Sequence, residues 1–521
     1  MVACIIGSCI VLLDGTVVNV ALAPIQRSLG GGLAAQQWVV NGYLLTLGSL
    51  ILLGGSLGDI YGERRVFTIG VLGFGVASVA CALAPSITLL VAARALQGCA
   101  GALLVPSSLA VIVNTFSEQE RGAAIGSWTA WGAIAGILGP LVGGELLALS
   151  SWRAVFLVNV PLVIACWGLI VVAIPPAPAR QTGRRVDLAG AALAASGLAC
   201  TVFALIEQPR LGFGDPAVSG TLVGGLVLLI AFVVREATAR EPMLPLRLFR
   251  RRNFSAGNVE TFSVYAGLGI LFLFLILFLQ QIGGYSPLES GFATLPITLV
   301  MFLLSRRFGM LADRHGPRLF MGLGPLVGAC GLVLFQRVGH GFSYTADVLP
   351  AELLFALGLS MTVAPLTAAV LAGSEGEAGI ASAVNNAVAR VAGLIGTAAV
   401  GAVIAAVFSS SLQSHLRGVA LGAQGEAVLA EAKRLPLGLP KTSSLPHATA
   451  TAMHGAAEAA SVHGFHVGMG VAAALLALGG GIGLAFIRNP ARADVRAEEC
   501  AGGQLVGVSS PEPARHGLAG A

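Results

Sequence analysis

The chain has 521 residues, of which 56% are apolar and only 11% charged, and its mean hydropathy is +0.86. A soluble domain averages about 25% charged residues, and a disordered chain combines low hydrophobicity with high charge, so the composition argues against both classes. The formal charge of +5 gives no basic stripe of the kind that nucleic acid requires. Long continuous apolar runs, in place of short alternating segments, predict an all-α polytopic membrane protein.

Fourteen stretches reach the roughly 20 apolar residues that a spanning helix needs. The first has neither a charged leader nor a small-residue cleavage site, so we expect no cleaved signal peptide and a true start slightly upstream of Met1. The predicted spans are approximately 3–23, 37–57, 66–84, 87–113, 122–147, 153–174, 187–207, 217–235, 254–280, 290–311, 318–337, 347–372, 379–408 and 464–487.

The distribution of Lys and Arg predicts the orientation of the chain. With the N-terminus inside, the inner loops and tail carry 20 basic residues and the outer loops carry 8, which fits the positive-inside rule. We therefore expect both termini in the cytoplasm of a bacterial cell and the spans in its cytoplasmic membrane. Two further arginines, Arg94 and Arg390, lie within spans.

A loop motif that occurs twice divides the chain into halves. Its form, G-x-L-x-D-x-x-G-x-R, follows the second and the tenth spans, which maps spans 9–14 onto spans 1–6 and leaves spans 7 and 8 as an inserted pair. Two six-helix halves in parallel orientation are an arrangement of transporters with a midplane site. The predicted domains are an N-terminal half at 1–175, the inserted pair with its linkers at 176–252, a C-terminal half at 253–487 with a long outer loop at 409–463, and a disordered tail at 488–521.

Asp14 is a carboxylate near mid-bilayer in the first span. Such a charge is costly unless it is paired, hydrated or protonated, which indicates proton exchange, with a structural Asp as the alternative. Arg94 in the fourth span lies at a similar depth and could pair with Asp14, either as part of proton coupling or as a fixed ion pair. The polar residues Asn19 and Gln97 of the same spans are our candidates for the substrate cavity.

Glu260, about six residues into the ninth span, is a second candidate for proton coupling or for reading a substrate cation. Its alternative is a hydrated residue near the inner interface. The chain has no nucleophile elbow, zinc motif or phosphate-binding loop. The sequence therefore predicts no enzyme activity, no metal and no cofactor, and a transport cycle that proton motive force would drive.

The fifth span carries glycines on one helical face, which would let another helix approach closely, and a proline that should kink it. These residues either serve packing alone or also seal the molecule during its transport cycle. They are Gly132, Gly136, Gly139, Pro140, Gly143 and Gly144. The two copies of the loop motif are either solvated turns or a latch that holds the inner side closed. The latch candidates are Gly55, Asp59, Gly62, Arg64 and Arg65 in the first copy and Gly309, Asp313, Gly316 and Arg318 in the second.

Together these motifs resemble the fourteen-span drug:proton antiporter branch of the major facilitator superfamily. The resemblance rests on the Asp14 segment, the 55–65 loop, Arg94-Ala-Leu-Gln97-Gly98, the glycines of the fifth span, Trp152–Phe156 with Asn159, and the Asn385-Asn386 pair. It implies an exporter that alternates between inward- and outward-open states. Two departures stand out: Glu63 replaces a usual basic residue, and span 12 has no counterpart of Arg94.

We accordingly predict proton-coupled efflux of small amphipathic or cationic organic compounds, antibiotics among them, by a monomer in the lipid bilayer. The alternatives are a nutrient uptake symporter or facilitator of the same superfamily, and a membrane sensor that does not transport. The resemblance associates the glycines of the fifth span with exporters, and these residues and Asp14 favour export. The sequence does not name the substrate.

Overall fold

The structure is a computed structural model that describes residues 1–175, 187–239, 242–372, 378–433 and 435–489, and this part of the chain contains helices and no strand. Thirteen helical segments are long and apolar enough to cross a membrane. A further helix covers Glu118–Leu149, but several of its side chains lie outside the description. The all-helical class is confirmed, and the count of fourteen spans stays a prediction.

The N-terminal half contains the first six of the predicted spans, and its first two helices end at glycine, Gly30 and Gly62. Ser86 begins the fourth helix because its hydroxyl accepts a hydrogen bond from the Leu89 N–H. The helices are α1 Val2–Leu29, α2 Leu33–Tyr61, α3 Glu63–Leu83, α4 Ile87–Thr115, α5 Glu118–Leu149, α6 Ala154–Leu157 and α7 Asn159–Ala173.

The inserted pair is a helical hairpin, α8 Leu188–Leu211 and α9 Pro216–Thr238. Each helix begins at an aspartate whose side chain accepts from a backbone N–H of the first turn, Asp187 from Gly190 and Asp215 from Ala217. Helix α8 packs against both α2 and α15, so it lies at the seam between the two halves.

The C-terminal half repeats the arrangement of the first. A capping box opens α11, because Ser286 and Glu289 each accept a hydrogen bond from the other's backbone N–H. The helices are α10 Arg252–Gln281, α11 Pro287–Ala293, α12 Leu295–His315, α13 Pro317–Leu334, α14 Leu349–Ala372, α15 Ala378–His415, α16 Gly422–Ala432 and α17 His447–Phe486, with 3-10 turns at Leu246–Arg250 and Phe335–Arg337 and a π-helical turn at Tyr344–Val348.

The predicted outer loop at 409–463 is wrong in its extent. Helix α15 continues to His415, α17 begins at His447, and α16 lies between them. The alanine-rich stretch before residue 464 is too polar to count as a membrane span, but alanine has the highest intrinsic helix propensity. These extensions pack with α16 around a buried apolar cluster that includes Phe408, Leu412 and Met453.

The two copies of the loop motif adopt the same backbone conformation. Gly62 has φ 90° and ψ 131°, and Gly316 has φ 87° and ψ 150°. Each N–H closes the preceding helix on the carbonyl four residues earlier, at 2.9 Å and 2.8 Å. Only glycine adopts this left-handed region without strain, so the repeat read from the sequence is also a structural repeat.

Contacts between the halves gather at the outer side of the molecule. Gln37 of α2 donates to the Thr397 carbonyl of α15 at 2.6 Å, and Gln280 of α10 donates to the Val20 carbonyl of α1 at 3.1 Å. The outer ends of α5 and α11 also touch, since a Cβ added to Gly144 would lie 2.5 Å from the Leu288 Cα. The halves therefore meet at the end of the molecule that the distribution of basic residues predicts to be the outer side.

Two predicted regions cannot be compared with the structure. The linker at 176–186 lies outside the described residues, and so does the predicted tail beyond Asn489. The chain from Met1 to Ile487 forms one compact unit that contains both halves and the inserted pair.

Candidate functional site

The centre of the N-terminal half holds the ion pair that the depths of two residues predict. Arg94 Nη1 on α4 donates a hydrogen bond to Asp14 Oδ2 on α1 at 2.5 Å. Neither side chain is more than 1% exposed. The expected contact between Asp14 and Arg94 is thus confirmed, and it is sealed from both sides of the membrane in this state.

Three more polar side chains complete the surroundings of Asp14. Gln97 Nε2 and Asn159 Nδ2 each donate to Asp14 Oδ1 at 2.9 Å. Ser78 lies behind them and accepts from Gln97 at 2.8 Å and from Asn159 at 3.3 Å. Asp14 thus accepts one charge-assisted and two neutral hydrogen bonds, which offset the cost of burying a polar group.

Arg94 is held by more than Asp14. Its Nε donates to the Val39 carbonyl at 3.1 Å, and Nη1 also donates to Gln97 Oε1 at 2.6 Å. Its Cζ lies 4.2 Å from the centre of the Tyr43 ring, a cation–π distance. Arg94 therefore has partners besides the Asp14 carboxylate.

The two residues predicted to line the substrate cavity, Asn19 and Gln97, lie in different places. Gln97 is fully buried in the Asp14 cluster and does not line an open space. Asn19 lines a small pocket between the halves with Thr16 and Gly136 on one side and Phe272 and Thr298 on the other. The pocket encloses about 60 Å³, whereas drug-sized ligands occupy clefts of about 300–1,000 Å³. The space at Asn19 is therefore closed to such a ligand in this state.

The glycines of α5 face different partners. A Cβ added to Gly132, Gly139 or Gly143 would lie 1.9–2.8 Å from side chains of α1, but one at Gly136 meets nothing within 4 Å. Pro140 and Gly144 face α11 of the other half instead, with the Pro140 carbonyl 2.6 Å from an added Cβ at Gly291. The helix therefore joins its own half tightly and also touches the opposite half.

Glu260 is fully buried in α10 and lies apart from the Asp14 cluster, in the other half. Neither carboxyl oxygen has a hydrogen-bond partner among the described residues. Its Oε2 lies 3.0 Å from the Cβ position of Gly483 on α17. The interpretation as a hydrated residue at the inner interface is wrong for this state, because the side chain is 0% exposed.

The arginines of the two loop motifs make matching contacts within their own halves. Arg64 donates to the Val171 carbonyl at the end of α7, and Arg318 donates to the Leu484 carbonyl near the end of α17. Terminal helix carbonyls lack intrahelical partners, and cations near them are favourable. Arg65 and Asp313 are exposed. The latch role of Asp59 and its neighbours stays a prediction.

Sequence reasoning assigned no role to several residues that the structure brings to the centre. Ser78 and Tyr43 carry no charge that would single them out in the sequence. Asn159 was noted only as part of the family resemblance. Gln97 was assigned to the substrate cavity, although its position three residues from Arg94 places both on one helix face. Asn159 offered a signal too, as a polar residue in an otherwise apolar span.

Comparison with known proteins places these features in a family. The model of the Major Facilitator Superfamily matches residues 4–397. The tetracenomycin C resistance and export protein of Streptomyces glaucescens is 34% identical over 411 residues, 78% of this chain and 75% of that protein. The puromycin resistance protein of Streptomyces alboniger is 37% identical over 422 residues, 80% of this chain and 83% of that protein.

Solved structures agree at the level of the fold. A bacterial homolog of the human lysosomal transporter Spinster, in an inward-facing and unoccupied conformation, aligns with a TM-score of 0.61 at 16% identity. The alignment covers 94% of this chain and 98% of that one. A D-xylose-proton symporter aligns with a TM-score of 0.58 at 13% identity over 94% and 97% of the two chains. The family match and the identities with the two resistance proteins show that the chain is a multi-pass, non-enzymatic membrane transporter that belongs to the major facilitator superfamily.

Proposed function

We propose that the chain exports small amphipathic organic compounds, antibiotics among them, in exchange for protons. The observation that carries the proposal is the Asp14–Arg94 pair, a sealed carboxylate between four helices of the N-terminal half. The export and resistance proteins to which the chain is 34% and 37% identical support the direction of transport. We further propose a monomer in the bacterial cytoplasmic membrane with both termini inside.

In this mechanism Asp14 is ionised and paired while the molecule faces inward and takes up substrate. The halves then rock, the outer contacts between them separate, and the Asp14 cluster opens toward the outside. Asp14 accepts a proton there, its bond to Arg94 weakens, and substrate leaves. Return to the inward state lets the proton pass to the cytoplasm and restores the ion pair.

The energetics of this cycle are sufficient for export. One proton that crosses about 100 mV supplies about 2.3 kcal/mol, and one pH unit adds about 1.36 kcal/mol. Their sum, about 3.7 kcal/mol, supports a substrate gradient of several hundred-fold when one proton is exchanged per molecule.

The test uses everted vesicles energised by respiration, with a pH dye in the lumen and a panel of lipophilic compounds and antibiotics. We expect at least one compound to release protons from wild-type vesicles and not from Asp14→Asn vesicles. Glu431→Gln, an exposed carboxyl on α16, is the control and should behave as the wild type. A response of Asp14→Asn equal to that of the wild type would contradict the role of Asp14 and make Glu260 the next candidate.

A further inference from the structure

Arg390 is a charged side chain within a predicted span, and it takes no part in the Asp14–Arg94 ion pair. It lies twelve residues into α15, about 18 Å from the inner end of that helix at 1.5 Å per residue, which is close to mid-membrane. Its Cβ lies 3.4 Å from the Cβ position of Gly48 on α2. It therefore stands at the seam where one half meets the other.

Arg390 has no counter-charge among the described residues. Its Nε has no hydrogen-bond partner there, and none of the ion pairs in that part of the chain includes Arg390. Tyr265 of α10 lies nearby, with its carbonyl oxygen 3.9 Å from the Cβ position of Gly393, three residues along α15. An arginine within a membrane protein is costly unless it pairs or faces a wet cavity, so this cation is held ready for a partner that the protein itself does not supply.

A second donor on the same seam also lacks an acceptor. Asn41 of α2 is 0% exposed, its Oδ1 accepts from the Thr397 hydroxyl at 3.0 Å, and its Nδ2 has no described partner. Asn41 lies seven residues outward of Gly48, and Thr397 lies seven residues outward of Arg390, which is about 10 Å along each helix. Two donors without acceptors, about one small molecule apart, favour a ligand that brings acceptor atoms.

Arg390 and Tyr265 remain partly exposed, whereas the Gln37–Thr397 contact closes the seam on one side of Arg390. A ligand would therefore reach Arg390 from the opposite side, which the distribution of basic residues predicts to face the cytoplasm.

We infer that Arg390 binds the negative charge of the exported molecule, and that the preferred substrates are amphipathic organic anions with a carboxylate, phenolate or similar group. Arg390 supplies a planar donor fork that suits such groups, and Tyr265 supplies an aromatic surface beside it. This inference rests on the proposed export function and specifies its substrate class, with cationic compounds, the other class expected from the sequence, as the competing outcome.

The test is equilibrium binding to the purified full chain in lipid nanodiscs, without any gradient. The probes are fluorescein, an anion, and rhodamine ethyl ester, a cation with the same xanthene rings. We expect the wild type to prefer fluorescein. Arg390→Gln should weaken fluorescein binding about ten-fold or more and leave the rhodamine ester unchanged, and Arg390→Lys should keep most of the preference.

Arg337→Gln removes an exposed arginine from the outer 3-10 turn and serves as the matched control for net charge. The inference is overturned if the wild type does not bind fluorescein, if Arg390→Gln leaves its binding unchanged, or if both probes weaken equally. Rhodamine binding reports that each variant is folded. Because the assay needs no proton movement, its result is independent of the vesicle test of proton exchange.

Discussion

A pair of glycines one turn apart on α5 gives a sharp test of how closely α1 and α5 must pack. In Gly139→Ala the new Cβ would lie 1.9 Å from Thr16 Oγ1 and 2.9 Å from Thr16 Cβ. A change of the Thr16 rotamer moves the hydroxyl but not Cβ, and the Val17 N at 3.1 Å is backbone. The helices must therefore separate by several tenths of an ångström.

The expected cost follows from this geometry. Overpacking of a close contact costs about 1–3 kcal/mol, while alanine gains about 0.5–1 kcal/mol over glycine within a helix. Gly139→Ala should lose about 1–2 kcal/mol of stability after both effects. Gly136→Ala meets no neighbour within 4 Å, so only the gain remains and that variant should be as stable as the wild type or more so.

The assay is thermal unfolding of the purified full chain in detergent, followed by tryptophan fluorescence, with proton release measured on the same variants. Thr16 lies two residues from Asp14, so a displaced α1 should also lower proton release in Gly139→Ala. Equal unfolding temperatures for the two alanine variants would refute the reasoning. That result would mean that α1 and α5 are not in close contact in the folded protein.

Two further predictions concern carboxyl groups. Glu260→Gln should change the unfolding temperature little, because Glu260 has no hydrogen bond or ion pair among the described residues to lose. A large drop in the unfolding temperature would contradict this and would mean that Glu260 has a partner in the folded protein. At the start of α8, burial opposes ionisation of Asp187, but hydrogen bonds from Arg235 and from the Gly190 N–H prevail and hold its pKa below the ordinary 3.8. A lowered pKa in the folded state adds stability that is present at neutral pH and is lost as the pH falls through that pKa. Asp187→Asn should therefore cost about 1 kcal/mol near neutral pH, given the half-exposed Arg235, and less near pH 3; a cost that does not shrink in acid would contradict the assignment.

The sequence was most informative at positions where an unusual residue or backbone conformation has a high energetic cost. Asp14 and Arg94 are charges inside apolar spans, and their similar depths indicated that they could pair. The repeated glycine turn at Gly62 and Gly316 was readable because its conformation requires that residue. Burial, in contrast, depends on packing between spans, so the sequence could not show that Gln97 belongs to the Asp14 cluster and lines no open cavity.

Other features depended on contacts between distant parts of the chain. Arg390 was visible as a charge within a span, but its lack of a partner became clear only with α2 and α10 beside it. The helical extensions around His415 and His447 were missed because hydropathy measures compatibility with the bilayer and not helix formation. The position of α8 could not be read from its apolar sequence, since every neighbouring helix offers a similar surface.

The position of the inserted hairpin also bears on how a lipid-soluble compound reaches the transporter. Helix α8 covers the α2–α15 side of the seam, where Trp38 donates to Glu207 at 3.1 Å. On the opposite side the contacts of α5 with α11 involve Pro140 and Gly144, near the outer ends of these helices. In the part of the chain that the structure describes, the hairpin thus shields one side of the seam from the surrounding lipid, and no equivalent pair of helices shields the other side.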